Sequence, residues 1–353
     1  MRISVVVPVH NAANDLQQCL RALATSTRLP DEVVVVDDAS TDNSSQAAQQ
    51  FASSLSMQGL TTGNQARGPA FARNRGAEAA TGDIVLFLDA DVRVHPDSLT
   101  RIEQCFDGEP SVAALFGSYD HAPPAPNLVS GYVNLRHHWT HQHASREAWT
   151  FWSGIGAIRR AVFWEMGGFD ESYARPSIED IALGRKLRLA GHRVLLCPDA
   201  QGTHLKRWTV RSWLRTDIRD RAIPWTRLML SDQSDVPSDL NLDWKSRVSA
   251  LIAWLAFALF VVALISSQKT SLLMLCGAAF VALAALNWPL LQFFFKRRGV
   301  PFALGAFCCH TLYFLYSSAT FGILALSAKL QSVFSKPRHR VLVLLLAALF
   351  KGL

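Results

Sequence analysis

The hydrophobic pattern changes character near residue 247. Before it, short apolar runs alternate with stretches of helical period; after it, long uncharged apolar runs take over. The run Ile3-Ser-Val-Val-Val-Pro-Val9 is β-branched and apolar on both faces, which predicts a strand buried in a parallel sheet. Residues 14–25 place Leu16, Cys19, Leu20 and Leu23 at helical spacing. Glu32-Val-Val-Val-Val-Asp37 predicts a second buried strand, and a helix opens after Ser40-Thr-Asp42. Asp83-Ile-Val-Leu-Phe-Leu88 predicts a third strand, which runs into Asp89. Strands alternating with helices imply right-handed crossovers and an α/β fold, a Rossmann-like, mostly parallel sheet with helices on both faces.

Three uncharged apolar runs follow, over residues 248–267, 271–295 and 302–327. Each reaches the roughly 20 residues a helix needs to cross a bilayer, and three in succession predict spans rather than buried core helices. Lys245-Ser-Arg247 precedes the first run and Lys296-Arg-Arg298 separates the second from the third. The positive-inside rule places both on the cytoplasmic side of an inner or plasma membrane, together with the N-terminal domain. The third run is then either a full span that leaves basic residues 329–340 outside, or a re-entrant segment. The expected organisation is an α/β domain over 1–210, a basic juxtamembrane segment over 211–246, three spans within 247–328, and a basic then apolar tail over 329–353. Asn287 and His310 are the polar residues within the runs that invite a functional role.

Composition agrees with this division. Half of the 353 residues are hydrophobic and only 18% are charged, which is apolar for a soluble protein. The net charge is +7, and Lys and Arg cluster between Arg185 and Arg247. That placement suits anionic lipid headgroups or a phosphorylated substrate. No aromatic-basic groove motif accompanies it, so no nucleic-acid partner is expected. Arg211, Arg215 and Arg219 share one helical stripe, either for an acceptor phosphate or as a solvated face, and Pro224 is predicted to end or kink that helix. The six cysteines lack C-x-x-C spacing and read as reduced, buried thiols facing the cytosol. Residues 3–9 are too short for a signal core and no cleavage site follows, so no signal peptide is expected.

In open α/β sheets, ligands bind beyond the carboxyl ends of the strands. That rule selects residues 8–11, Asp37-Asp38 and Asp89-Ala90-Asp91. The first of these reads His10-Asn-Ala-Ala-Asn14 where a dinucleotide fold needs G-x-G-x-x-G, which argues against a dehydrogenase. Asp89 and Asp91, at i and i+2 after a strand, can turn toward one divalent cation, or they form an acidic turn or a cap for a helix beginning near Pro96. Asp38 can accept an N–H from a nucleobase or close an Asx turn; Asp37 reads as its structural partner. Ser177-Ile-Glu179-Asp180 has capping-box spacing, and Asp180 can equally serve as a general base on a rigid helix start. His137, His138, His141 and His143 form a cluster readable as a zinc site or as an acceptor-side loop or surface helix.

The order of these pieces resembles the family 2 glycosyltransferases of the GT-A fold. The matching segments are Val5-Val-Val-Pro-Val-His-Asn11, Val36-Asp-Asp-Ala-Ser-Thr-Asp42, Gly68-Pro-Ala-Phe-Ala-Arg-Asn-Arg-Gly76 and Phe87-Leu-Asp-Ala-Asp-Val92. Gly167-Gly-Phe-Asp170 and Glu179-Asp180 follow, so the resemblance covers about the first 210 residues. It implies that Pro8, His10 and Asp38 line a nucleobase pocket, and that Arg67, Arg73 and Asn74 approach the nucleotide. Asp89 and Asp91 would handle the diphosphate and a Mg²⁺ or Mn²⁺ ion, with Asp91 the direct ligand. Asp180, beside Glu179, becomes the base of a single inverting displacement.

His10 stands where the family often has Tyr or Phe, and Ala12 where an acid is frequent. Ala39 replaces the usual Gly, which predicts a turn without positive φ. His204-Leu-Lys-Arg207-Trp208 resembles the Q-x-x-R-W element of processive members, whose Trp lies near the acceptor sugar. Trp152, His204, Arg207 and Trp208 are therefore acceptor-side candidates; otherwise Trp208 is an interface anchor and Arg207 a lipid-headgroup contact. The implied partners are a nucleotide-diphosphate sugar, the membrane, and a lipid, lipid-linked or polysaccharide acceptor at its cytoplasmic face. The alternative is a catalytically inactive membrane protein that binds nucleotide-sugars or glycolipids.

Overall fold

The computed structural model describes residues 1–231 and 244–334. Within these, residues 1–213 and 288–307 form one compact unit, and 214–231, 244–287 and 308–334 a second. The predicted strands are β1 (Ile3–Val9), β2 (Glu32–Asp37) and β4 (Ile84–Leu88), with β3 (Met57–Thr61) between the last two in the chain. The helices of this half are α1 (Ala13–Ala24), α2 (Ser44–Gln49) and α3 (Pro69–Ala79). Leu16, Cys19, Leu20 and Leu23 form the buried stripe of α1, as their spacing predicts.

The chain continues through β5 (Val92–Val94), α4 (Ser98–Gly108), β6 (Val112–Tyr119), α5 (Leu128–His143), β7 (Ile155–Arg159), α6 (Arg160–Glu165), α7 (Glu179–Leu189) and β8 (Arg193–His204). The sheet has eight strands in the order β3-β2-β1-β4-β7-β6-β8-β5. Its left half is parallel: β1 pairs with β2 and β4, and β2 with β3. β7 then runs antiparallel to both β4 and β6, and β5 runs antiparallel to β8. The sheet is thus mixed, and mostly parallel as expected.

Successive strand residues serve opposite faces, which builds two cores. Val5, Val7, Val33, Val35, Ile84 and Leu86 pack under α1 and α4 on one side. Val6, Val34, Val36, Val85 and Phe87 pack under α3 and α7 on the other. α3 approaches closely because its buried face carries Ala70, Ala72, Gly76 and Ala77. A Cβ at Gly76 would lie 2.3 Å from a methyl of Val6 and 3.1 Å from one of Val36. Gly76→Ala is therefore expected to destabilise the domain by about 1–3 kcal/mol through overpacking. A thermal melt of the purified variant checks this; an unchanged Tm would mean that α3 tolerates a wider spacing.

The second unit takes up α8 (Val210–Arg215) from Leu214 onward, then a π-helix (Thr216–Ala222), α9 (Ile223–Ser231), α10 (Trp244–Ile265) and α11 (Lys269–Leu286). Pro224 does not end the helix, although the α ladder is interrupted just before it. It falls in the first turn of α9, and the preceding π-turn opens the ladder where a proline ring would otherwise clash. The apolar run over 271–295 is also not one span. α11 ends at Leu286 and α12 (Trp288–Phe334) begins two residues later, with non-helical geometry at Gly299, φ 78°. Asn287 marks this break: its amide donates to the Leu283 carbonyl at 2.9 Å and to Ser249 Oγ at 3.0 Å. His310 is buried against the rings of Tyr313 and Phe314.

Among the described residues three helices are long and apolar enough to cross a membrane: Trp244–Ile265, Lys269–Leu286 and Trp288–Gln331. The apolar tail over 341–350, the basic residues 335–340 and part of the juxtamembrane segment, 232–243, lie outside the described residues. All six cysteines are free thiols, but only Cys19 and Cys276 are buried as expected; Cys105, Cys197 and Cys309 are half-buried and Cys308 is exposed.

Candidate active site

The carboxyl ends of β1, β2 and β4 meet the end of β8 and the start of α7, so five elements converge. At β2, the Asp38 carboxylate is buried and accepts three donors: the Thr62 hydroxyl at 2.7 Å, and the Arg67 and Gly68 amides at 2.8 Å each. Asp38 thereby pins the loop before α3, where Gly68 takes φ 94° and the Ala174 backbone lies 2.6 Å from where a Cβ would stand, so both conformation and space call for glycine. Asp37 is structural, accepting the Ser40 amide at 2.8 Å and the Ser45 hydroxyl.

His10 Nδ1 donates to the Asp38 carbonyl at 2.6 Å, and Nε2 accepts from the Asn11 amide at 3.1 Å. Asn11 Oδ1 in turn accepts the Thr41 N–H at 2.7 Å. Lacing these two loops forces Asn11 to φ 51° and Ala39 to φ 55°. The turn at Ala39 therefore does need a positive φ, contrary to the reading of its side chain, and its Cβ bears the strain that Gly would avoid. Pro8 sits in β1 opposite Val36, half-buried beside this rim. Arg67 spreads its guanidinium over the Phe71 ring at 3.5 Å.

Arg73 occupies the centre. Its small-residue helix face draws it inside, where one Nη donates to Asp89 at 2.7 Å and the other to Glu179 at 2.8 Å. Its Nε is buried without a partner. Glu179 is 3% exposed, and its second oxygen accepts the Ser177 N–H at 2.9 Å. Both oxygens of Glu179 are thus engaged. The capping box does not form, since Ile178 precedes α7 and offers no side-chain cap. Asn74 spends its amide on the loop at 169–171: Nδ2 donates to the Phe169 carbonyl and to Glu171, each at 2.9 Å, and Oδ1 accepts the Phe169 N–H.

Asp180 faces the other way. Its Oδ2 accepts the amide and the hydroxyl of Ser153, each at 3.0 Å, and Oδ1 accepts the Ile181 N–H at 2.8 Å. Burial, and then the charge of Glu179, push its pKa up to about 6 despite the opposing pull of Ser153 and Arg73.

Asp91 lies across the strand ends. β5 pairs antiparallel with β8, setting Val92 opposite His204, and His204 Nε2 comes 3.5 Å from Asp91 Oδ2. His204 Nδ1 donates to Asn134 Oδ1 at 2.8 Å, which leaves the Nε2 edge turned to Asp91. Burial acts to raise the Asp91 pKa, but His204 and Lys206 outweigh it and the carboxyl is lowered; Asp89 is raised by burial against the pull of Arg73. This second role of His204 escapes a sequence reading, which placed it only on the acceptor side. Its signal is a strand pairing across more than a hundred residues.

Around His204 stand aromatic rings. Tyr119 stacks on it at 4.2 Å, and Trp152, next to Ser153, meets Tyr119 edge-on at 4.6 Å and His137 at 4.8 Å. Trp208 is 2% exposed and its backbone fastens the start of α5, through Ser130 Oγ at 2.7 Å and Asn127 Nδ2 at 2.6 Å. Arg207 is exposed. His138, His141 and His143 each donate Nδ1–H to a backbone carbonyl, of Tyr119, Gly117 and Trp139 respectively. Burial lowers His141 to about 4, as suits a neutral core imidazole. Among the described residues no three His, Cys, Asp or Glu side chains gather closely enough to hold a metal ion alone.

Acidic residues at parallel strand ends, joined to an acid on a crossing helix, define a GT-A type nucleotide-diphospho-sugar transferase architecture. The sequence profile of Glycosyl transferase family 2 matches residues 4–167, and this part of the chain is a domain of that family. The chain is 32% identical over 170 residues to the uncharacterized glycosyltransferase YibD of Escherichia coli (strain K12), covering 46% of this chain and 49% of YibD. It is 27% identical over 218 residues to the validoxylamine A glucosyltransferase of Streptomyces hygroscopicus subsp. limoneus, covering 54% and 48%. The chain thus spans about half the length of these curated relatives. Among solved structures, the mannosyltransferase PcManGT from Pyrobaculum calidifontis, in complex with GDP-Man and Mn²⁺, aligns with TM-score 0.54 and 21% identity, covering 95% of this chain and 88% of that one. S. aureus TarS 1-349 in complex with UDP-GlcNAc aligns with TM-score 0.52 and 17% identity, covering 93% and 92%. Both share the fold.

Proposed function

We propose that the protein transfers a sugar from a nucleotide-diphosphate donor to an acceptor hydroxyl in a single inverting displacement, at the cytoplasmic face of a membrane. One observation carries this reading: Arg73 ties Asp89, at the donor end, to Glu179, the neighbour of Asp180. The carboxylates of two distant segments are thereby held in one site.

The residues fit a divalent ion. Asp91 and His204 Nε2 converge, and with Nδ1–H given to Asn134, a metal that displaced the Nε2 proton facing Asp91 would find a lone pair there. With no third side chain gathered there, phosphate oxygens and water would complete the shell, as Mg²⁺ and Mn²⁺ sites at diphosphates require. A bound ion would neutralise charge growing on the departing diphosphate. Asp180 takes the acceptor hydroxyl's proton as the acceptor oxygen bonds to the anomeric carbon and the bond to the diphosphate breaks. The Ser153 donors orient its carboxylate, and its burial beside Glu179 gives it the basicity the step needs. Asp38 and His10 shape the base pocket by ordering loops 10–11 and 62–68, while Arg67 stands at the rim.

The direct test is turnover of a panel of nucleotide-sugars by detergent-purified protein, with Mn²⁺ or Mg²⁺ and membrane lipid extract. Absence of metal-dependent turnover with every donor would overturn the proposal; nucleotide binding without turnover would leave the inactive-binder alternative. The pH profile adds a second check. Asp180 acts only when ionised, so kcat/KM should rise through about pH 6 and fall roughly tenfold per unit below it. A profile flat between pH 5 and pH 7 would remove Asp180 from the proton transfer.

A further inference from the structure

Beyond the aromatic rings, past the end of β6, gather basic side chains that the transfer chemistry leaves unused: two imidazoles and one guanidinium. His121, exposed, follows Asp120 and meets the His138 ring at 5.5 Å. The His138 ring stacks on Phe293 of α12 at 5.9 Å, and the Arg297 guanidinium lies 5.7 Å from the centroid of the same Phe293 ring. Arg298 anchors the same helix turn by donating to the Pro123 carbonyl at 3.2 Å, so the position of Arg297 is built, not incidental. The one acid nearby, Asp120, is satisfied from within by His95 at 2.9 Å, the Ala122 amide at 2.9 Å and the Thr203 hydroxyl. Arg297 has no carboxylate within ion-pair distance among the described residues. Burial, joined by the charge of Arg297, lowers the pKa of both His121 and His138 against the opposing pull of Asp120.

The helix that carries Arg297 is apolar on its outer side. Trp288, Phe295, Val300 and Leu304 are all more than half exposed, and the helix belongs to a segment long and apolar enough to span a bilayer. A cationic group at the foot of such a surface meets anions that are themselves attached to lipid. Inward, Tyr119 and His137 lead to Trp152, whose neighbour Ser153 holds Asp180. Aromatic faces are suited to the apolar face of a sugar ring.

We propose that His121 and Arg297, backed by His138, bind the phosphate of a lipid-linked acceptor, and that the stretch between them and Asp180 holds the sugar it carries. This rests on the transfer reading above and narrows its acceptor to a lipid-phosphate-borne glycan.

The test uses isothermal titration of the full-length protein in detergent with farnesyl diphosphate and, separately, with inorganic pyrophosphate. A panel of nucleoside diphosphates with Mn²⁺ serves as the donor-site control. Wild type should bind farnesyl diphosphate at least tenfold more tightly than pyrophosphate. Arg297→Ala and His121→Ala should each weaken farnesyl diphosphate binding about tenfold or more, the loss of one charge-assisted contact. Arg297→Lys should recover part of it, nucleotide binding should not move, and Arg101→Ala, an exposed site on α4, should match wild type. Unchanged farnesyl diphosphate affinity in both alanine variants would overturn the site, as would pyrophosphate binding as tightly as the lipid probe. Farnesyl diphosphate binding lost with these variants in a protein that binds no nucleotide would sustain the site and overturn the transfer reading instead.

Discussion

Asp180→Asn should lower kcat by about two to four orders of magnitude and leave nucleotide affinity where it is. The amide is nearly isosteric and keeps an oxygen for the Ser153 amide and hydroxyl; it gives up the Ile181 N–H contact, which costs some stability at the helix start but not the fold. What it loses is a proton acceptor poised, at about 6, close to working pH. Nucleotide affinity is insulated because Asp180 bonds to Ser153 and Ile181, while the strand-end acids lie on the far side of Arg73. Single-turnover transfer measured beside nucleotide titration separates the two quantities. Activity within tenfold of wild type would assign the proton to another group.

Asp91→Asn should cut kcat/KM by roughly 10²- to 10³-fold, the scale of losing one preorganised electrostatic contact to developing charge. It should also raise the Mn²⁺ concentration needed for half-maximal rate. Asp89→Asn gives a different signature, because Asp89 already engages Arg73 at 2.7 Å. Breaking that bond leaves a buried guanidinium with one partner fewer, so stability falls along with rate. A metal titration of all three proteins makes the comparison. An Asp91 variant with unaltered metal dependence would move the ion elsewhere.

The first half of the domain was largely legible in the chain. β1, β2 and β4 are buried β-branched runs, and α1 buries the four residues its period selects. Strand ends point at the acids by a topological rule that needs no coordinates. Direction was not legible for β7: a five-residue apolar strand looks alike in either sense, and its antiparallel insertion depends on the long return through α5. The partners of the site residues were hidden for a related reason. Arg73 meets Glu179 across 106 positions, and His204 meets Asp91 through the β5–β8 pairing, so neither leaves a local signature. Ala39 misled because a side chain suggests φ below zero, whereas the lacing of loops 10–11 and 38–41 imposes the opposite. The apolar run at 271–295 hid a helix end because Asn287 caps it without charge or glycine.

The bridging of Asp89 and Glu179 by Arg73 has a kinetic meaning for the proposed reaction. A guanidinium that already gives one Nη to each of two carboxylates, 6% exposed, has its charge largely balanced before a diphosphate arrives. With Asp91 beside it, the cradle offers a bare nucleotide-sugar repulsion. The countercharge must then travel with the substrate. The donor would enter as its metal complex, metal release would follow the nucleoside diphosphate out, and free metal-less nucleotide would be a poor inhibitor even where the complexed form binds well.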